Sequence, residues 1–383
     1  MPFTVRKVEN RQDLKTFFEF PWRHYQDNPH WIPELPAMRR NSLDKTKHAA
    51  WEYMTGEYFI AWREGQAVGT IAAFVNHRHN EFHNENIGFF GFFECIDDQE
   101  AAAALFQTAE EYLRSQGVEA IRGPANFTSN EAYGLLVEGF DLDPVILMPY
   151  NPEYYIRLIE NCGYVKAMDL LSWRNDFKDA AANMKKEERL MGVMRKNAER
   201  RQITTRILDG RNKKRDFQII RNIYESAWEK NWGFIPMTDR ELDNIVKDLG
   251  FLVMPEYTIF AYVGDQPAGF LLCAPNFNEA IKHVRPHPGL PEPWWLLKTL
   301  WHWKIRPKIT SVRVLLLGVK EEFRGIGVDA TMFLALAEQM ARETRFEWAD
   351  ESWVLETNDE LNRLLERFGA WIHRRHRIYQ KPL

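Results

Sequence analysis

Apolar and polar positions alternate along two short stretches, and in each the alternation pauses at a tight turn before resuming. The stretches are "AWREGQAVGTIAAFVN" (Ala61–Asn76) and "AYVGDQPAGFLLCAPN" (Ala261–Asn276). A period of two places every second side chain on one face, which predicts half-buried strands. Glu64–Gln66 and Gly264–Gln266 supply the turns, so both stretches read as hairpins. They align at an offset of 200 residues, matching at Ala, Gln, Gly and Asn, with Gly69 and Gly269 in the second strand of each.

The likeness extends beyond the hairpins. An apolar strand and a long amphipathic helix follow in each half: "IGFFGFFECI" with "QEAAAALFQTAEEYLRSQG", then "VRVLLLGV" with "DATMFLALAEQMARETR". A short helix ending at glycine closes each half ("NPEYYIRLIENCG", "NDELNRLLERFG") before a last strand. Hairpins followed by strand–helix–strand units predict an α/β fold with a mixed sheet in each half. The shared order favours duplication over two hairpins that match by chance. The expected division is 1–178 and 216–383, joined by a basic helical linker over 179–215.

Composition narrows the class. With 383 residues, 45% hydrophobic and 27% charged, the chain has the size of two soluble domains. Net charge is −4, so no global basic field recruits nucleic acid, and no nucleic-acid partner is expected. Lys185–Arg215 departs locally, with twelve Lys/Arg against four Asp/Glu. It reads either as a solvated helix or as a patch facing phosphates or an anionic membrane. Three separated cysteines make no metal-binding or disulfide pattern, so a reducing cytoplasm and no metal are expected. The opening "MPFTVRKVENRQDLKTFFEF" lacks the apolar core of a signal peptide, and no apolar run is long enough to span a bilayer.

One segment is unusually aromatic. "PEPWWLLKTLWHWKIRPK" (Pro291–Lys308) carries four tryptophans. On a helix, Trp294, Leu297, Trp301 and Ile305 share one side and Lys298, Thr299 and His302 another, with Trp295 interrupting the polar side. The readings are a helix packed on a core, or an interfacial helix dipping into lipid at the inner membrane surface.

Chemistry is suggested by "LLLGVKEEFRGIGVDATMF" (Leu315–Phe333), an apolar strand, a glycine-bearing turn and a helix. Gly325 and Gly327 permit positive φ, and successive N–H groups there can form an anion-binding concavity to which Arg324 adds charge. A strand–helix turn that binds no phosphate is the plainer alternative.

The pattern V-x-x-x-F-R-G-I-G (Val319–Gly327) resembles the acetyl-coenzyme A signature of the GNAT acyltransferases, and "SWVLETNDELNRLLERFGAWIHRRHRIYQK" (Ser352–Lys381) looks like the rest of that fold. The resemblance covers Phe217 to the end and implies two tandem GNAT-like mixed sheets, the first degenerate. It implies that acyl-CoA, acetyl or longer, is held by Gly318, Val319, Arg324, Gly325, Ile326, Gly327 and Val328, with Asn358 nearby. In the first half "ECIDDQEAA" replaces the glycine turn, and Asp97, Asp98 and Glu100 would repel a diphosphate, so one cofactor site is expected. The whole chain is also similar to a narrower bacterial group that includes ceramide synthases, through "FFEFPWRHYQDNPHWIPEL", "RGPANFTSNEAYGLLVEGFD", "NWGFIPMT" and "RGIGVDA". That similarity implies an amine acceptor and points to a long-chain (sphingoid) base. "GPANFTSNEAYGLL" then becomes an expected acceptor-cleft loop.

Two departures stand out. Asp329 takes a position usually held by Gly or Ala, and is expected to cap the helix facing away from the ligand. Leu365 stands where many GNAT enzymes have a tyrosine acid. Amide formation needs a base for the amine, for which Glu356 is the first candidate and Glu351 or His302 the next. Tyr379 is the candidate replacement acid. Plainer roles stand beside each: a strand-end carboxylate for Glu356, core packing for Tyr379, a helix cap for Asn358. The expected activity is acyl-CoA-dependent N-acyl transfer. Acetylation of a small polar amine, or acyl-CoA binding without turnover, are the alternatives; the oligomeric state is not legible.

Overall fold

The computed structural model describes residues 3–228, 231–250, 253–342 and 345–383. It divides into two compact units: 1–170 with 280–307 and 374–383, and 171–279 with 308–373.

In the first unit a sheet is built from β1 (Thr4–Lys7), β2 (Met54–Arg63), β3 (Gln66–Asn76), β4 (Ile87–Cys95) and β5 (Ala120–Gly123), in that order. The hairpin turns where Glu64 and Gly65 adopt positive φ, which glycine reaches without steric cost. Helix Gln99–Ser115 covers the sheet. Asp98 caps it, and Ala101, Ala102, Leu105, Phe106, Ala109 and Leu113 recur at helical spacing and are buried. Leu105 and Phe106 lie in a core with Phe90, Phe93 and Tyr155, where truncating a buried leucine costs about 2–5 kcal/mol. β6 (Leu135–Glu138) and β5 both pair antiparallel with the end of the chain: Arg377 faces Leu135 and Tyr379 faces Gly123. Asp169, buried near the end of this unit's part of β7 (Val165–Asp176), accepts hydrogen bonds from Arg377 (2.8 Å) and Arg375 (3.3 Å) and fixes that register.

The second unit repeats the plan with β8 (Ile203–Ile207), β9 (Thr258–Val263), β10 (Gln266–Pro275), β11 (Ser311–Val319) and β12 (Trp348–Leu355), ordered β12–β11–β10–β9–β8. The offset of 200 survives in the hydrogen-bonding register. Trp62 pairs with Ala67 and Ala61 with Gly69, and likewise Tyr262 with Pro267 and Ala261 with Gly269, with the same irregularity between. A shared bulge position is hard to reach by chance, because bulges are local features of a particular sequence.

Residues 179–215, read from the sequence as a linker, lie inside this unit. Helix Phe177–Arg200 leads into β8, which pairs with β9 along its length. The side chains of Lys185, Lys186, Lys213 and Lys214 in that basic run lie outside the described residues. The last ten residues also depart from a halfway division, since 374–383 belong to the first unit. Long-range strand pairing decides both memberships, and no local pattern announces it.

Because β5 takes hydrogen bonds from the last strand, removing residues 374–383 should strip exchange protection from the amides of 120–123 and lower the melting temperature. Hydrogen exchange by mass spectrometry checks this; unchanged protection would show that the last strand does not support β5.

Candidate active site

The site begins with a parting of two strands. β11 pairs with β10 from Val312 to Val319, but with parallel β12 only from Ser311–Trp348 to Val314–Glu351. A bulge in the β10–β11 ladder skips Leu315 at that point, and bulges bend a strand. Leu315, Leu316 and Leu317 beyond it are half-buried. Parted strands leave main-chain groups without a ladder partner, and such groups need an acceptor or donor from elsewhere.

The turn after β11 continues the opening. Lys320 N–H still donates to Ala268 O (2.9 Å), and one tight helical turn at Glu321–Phe323 leads to Arg324. Gly325 and Gly327 then take φ of 68° and 95°, in the left-handed region that costs other residues about 1–2 kcal/mol. The helix starts at Val328. Among the described residues the N–H groups of Gly325, Ile326, Gly327, Val328 and Asp329 make no hydrogen bond of ordinary length and angle. A helix start always leaves some N–H groups free; here the two glycines extend the run backwards into the turn. Convergent N–H groups at the positive end of a helix are the physical requirement for holding a diphosphate.

Three side chains hold this turn in shape. Arg324 folds back, donating to Ala227 O and, at 3.3 Å, to Val319 O, so its guanidinium braces the turn. Asn197 Nδ2 donates to Ile326 O (2.8 Å), and a Cβ on Gly327 would lie 2.7 Å from that nitrogen. Thr331 Oγ1 donates to Gly327 O at 2.7 Å. Asp329 accepts from Ala330 N–H (2.8 Å), a cap that occupies one amide and leaves the preceding five free. Gly318 is needed for packing: a Cβ there would meet the Trp228 ring at 2.5 Å.

The first unit presents the same positions closed. By register, Cys95 corresponds to Val319 and Glu94 to Gly318, since Gly69 pairs with Cys95 and Gly269 with Val319. Cys95 N–H donates to Tyr155 Oη (2.8 Å) and its carbonyl accepts from Tyr154 (2.8 Å). Tyr25 and Tyr155 donate to the carboxyl of half-buried Glu94 at 2.5 and 2.8 Å. Burial pushes that carboxyl up to about 7 against the pull of both hydroxyls. At the turn, Asp98 accepts from the N–H groups of Glu100 and Ala101 and pairs with Arg63, while Asp97 pairs with Arg157. Little main chain is left there for an anion.

A second carboxyl sits where β11 and β12 part. Glu351 is 4% exposed and its Oε2 has no partner among the described residues. Burial raises its pKa to about 8; an Asn175 hydrogen bond opposes this and neighbouring Asp350 adds to it. Cys273, Val314 and Glu351 are register partners across three strands, and paired positions share a face of a sheet. The neighbouring row differs. Asp350 accepts from His373 (2.7 Å) and Ser352, and although burial opposes its charge, His373, Arg313 and Ser352 hold it below the usual range.

The other candidates lie elsewhere. Glu356 is half-buried just past β12. Asn358 caps helix Asp359–Arg367 through Leu361 N–H (3.3 Å), and Leu365 is a buried residue of that helix. Tyr379 is fully buried in the first unit's core and donates to Glu160 (3.0 Å), and burial and Glu160 push its pKa up. His302, also in the first unit, stacks on His283 at 5.1 Å. Sequence reasoning missed Asn197 and Trp228 and ranked Glu351 below Glu356. Only the glycines at 318 and 327 signalled that something large approaches those positions.

No family model matches the chain. It is 36% identical to Protein YghO of Escherichia coli (strain K12), an alignment spanning 99% of this chain and 95% of that protein. It is 30% identical to the bacterial ceramide synthase of Caulobacter vibrioides (strain NA1000 / CB15N), over 99% of this chain and 97% of that one. The chain belongs to the tandem-GNAT acyl-CoA N-acyltransferases. Its fold is similar to a tandem GNAT protein from the clavulanic acid biosynthesis pathway, with a TM-score of 0.54 at 9% identity over 100% of this chain and 98% of that chain. A GCN5-related N-acetyltransferase from Sphaerobacter thermophilus gives 0.51 at 13% identity, over 99% and 95%. At those identities the likeness speaks for the fold alone. A tandem-GNAT acyltransferase uses an acyl-CoA as co-substrate, and the run of free N–H groups after β11 fits its diphosphate.

Gly327→Ala forces a Cβ against Asn197 at an unfavourable φ, so acyl-CoA should bind at least about tenfold more weakly by titration calorimetry. Wild-type affinity in that variant would show that the turn does not hold the co-substrate.

Proposed function

We propose that this acyltransferase moves a long-chain acyl group from coenzyme A to the amino group of a long-chain (sphingoid) base, forming a ceramide-type amide. The observation that carries the proposal is the run of five unpaired N–H groups from Gly325 to Asp329, at the end of a strand that has parted from its neighbour. The diphosphate of the donor takes those amides, and the pantetheine arm follows the open edge of β11 past Val319 and Gly318. The choice of acceptor is supported by the 30% identity to the Caulobacter ceramide synthase.

The amine nitrogen attacks the thioester carbonyl carbon, the C–N bond forms, the C–S bond breaks and the sulfur leaves as thiolate. The nitrogen must lose a proton on the way, and Glu351 is the base we assign. Its carboxylate takes that proton and returns it to the sulfur, giving amide and free thiol. Glu351 suits the role better than Glu356 because it is desolvated at the point where β11 and β12 diverge, with one oxygen free of partners. Positioning of donor and acceptor supplies much of the remaining acceleration. A pKa raised to about 8 means the acid form dominates below that pH and the base form above it.

Purified protein given long-chain acyl-CoA and sphinganine should release free thiol, at a rate that climbs as pH rises through about 8. Acetyl-CoA with a small polar amine should be a far poorer pair; the reverse order would replace the lipid acceptor with a polar one. No thiol release from any pair, despite tight acyl-CoA binding, would make the protein a binder without turnover.

Glu351→Gln should cut transfer by about 10²-fold or more while acyl-CoA binding stays intact. The buried carboxyl is held neutral in the fold, so its favourable contribution is complete below the ordinary pKa of 4.5 and is lost as pH rises through about 8. The Gln variant should therefore melt higher than the parent at pH 9 and similarly at pH 4. A variant that is active, or no more stable at pH 9, would remove Glu351 from the mechanism.

A further inference from the structure

The segment Glu292–Ile305 turns its greasy side to solvent. It is α-helical over Glu292–Leu300 and continues in wider π-type turns over Trp301–Ile305, within the first unit. Trp295 is its buried residue, 3% exposed, and it anchors the helix to the unit. Trp294, Leu297, Trp301 and Ile305, the side picked out by helical spacing, are 42%, 68%, 50% and 62% exposed. Leu296 and Leu300 widen the patch. Of the twelve exposed large hydrophobic residues described, seven fall between Leu290 and Ile305, so the patch is a local concentration. Soluble proteins seldom leave such an area uncovered without a use for it.

The charges around it indicate the cover. Lys298 lies over the Trp294 ring and Lys304 over the Trp303 ring, each 3.9 Å from the centroid. With exposed Arg306 they outnumber the single carboxylate of the segment, Glu292. The whole chain carries −4, so attraction to an anionic surface has to come from this local excess. Tryptophans and aliphatic side chains on one exposed face, with cations beside it, match a helix lying at the membrane interface. A second copy is a poorer cover: a two-fold pair on this patch would bring two sets of Lys298, Lys304 and Arg306 into one interface with only two Glu292 carboxylates to offset them. The segment lies flat, since no described helix is long and apolar enough to cross a membrane.

We propose that Glu292–Ile305 docks this protein in the plane of a bilayer carrying anionic headgroups, with Trp294, Leu297, Trp301 and Ile305 entering the acyl region. Docking needs no turnover, so it stands or falls apart from the proposed reaction. The test is flotation of the full chain with vesicles of phosphatidylcholine alone and with about one-third phosphatidylglycerol, at low and high salt. The parent should float with the anionic vesicles at least about tenfold better than with neutral ones, and less at high salt. The triple variant L297E/W301E/I305E should stay at the bottom, yet keep the parent's melting temperature and acyl-CoA affinity, because all three side chains face solvent. Equal flotation of parent and variant, or none of the parent, overturns the proposal. So does a parent that is dimeric by light scattering and fails to float while the variant is monomeric, which would make the patch a self-association surface.

Discussion

An amide N–H that cannot reach a carbonyl must find another acceptor, and at one turn of this protein five in succession are left to do so. The two glycines make this possible. Their positive φ turns the chain so that the N–H groups before Val328 add to those of the helix start. Asn197, Thr331 and Arg324 donate to main-chain carbonyls of the turn and its surroundings and take up none of these N–H groups. Everything proposed about the donor substrate depends on that arrangement. The parting of β11 from β12 at Val314 and Glu351 leads into it and places the buried Glu351 carboxyl at the fork.

The duplicated plan makes the molecule its own control. Both units share a hairpin register down to its irregularity, yet the equivalent strand ends have opposite fates. In the second unit a glycine lets Trp228 pack behind the strand and the turn stays open. In the first, Glu94 stands at the matching position, three tyrosines take up the polar groups, and Asp98 fills the helix start. Two carboxylates of "ECIDDQEAA" are themselves engaged: Asp98 accepts from N–H groups of the helix start and pairs with Arg63, and Asp97 pairs with Arg157. The unit with the closed turn keeps the scaffold and carries the exposed helix around Trp301.

Features set by local chemistry were legible in the sequence. Period-two alternation marked the hairpins, helical spacing marked both long helices and the apolar side of Glu292–Ile305, and the glycines at 325 and 327 marked the open turn. Features set by distant partners were not. Nothing near Ile326 announces Asn197, and nothing in "RHRIYQK" says that Tyr379 will pair with Gly123 and face Glu160. Glu351 reads as one more acidic residue until β12 is laid beside β11 and the carboxyl is seen to lose its water. Glu356, just past the same strand and half-buried, reads as the more available carboxylate. Exposure is a poor guide to a residue whose chemistry depends on desolvation.

The central claim is that the N–H groups of Gly325 through Asp329 are the diphosphate's partners. Hydrogen exchange at single-residue resolution, with and without saturating coenzyme A, addresses them directly. The account predicts fast exchange of these five amides in the free protein and strong slowing on binding, with the amides of the first unit's turn at Asp97–Ala101 unaffected. Slow exchange in the free protein, or slowing confined to other segments, would contradict it.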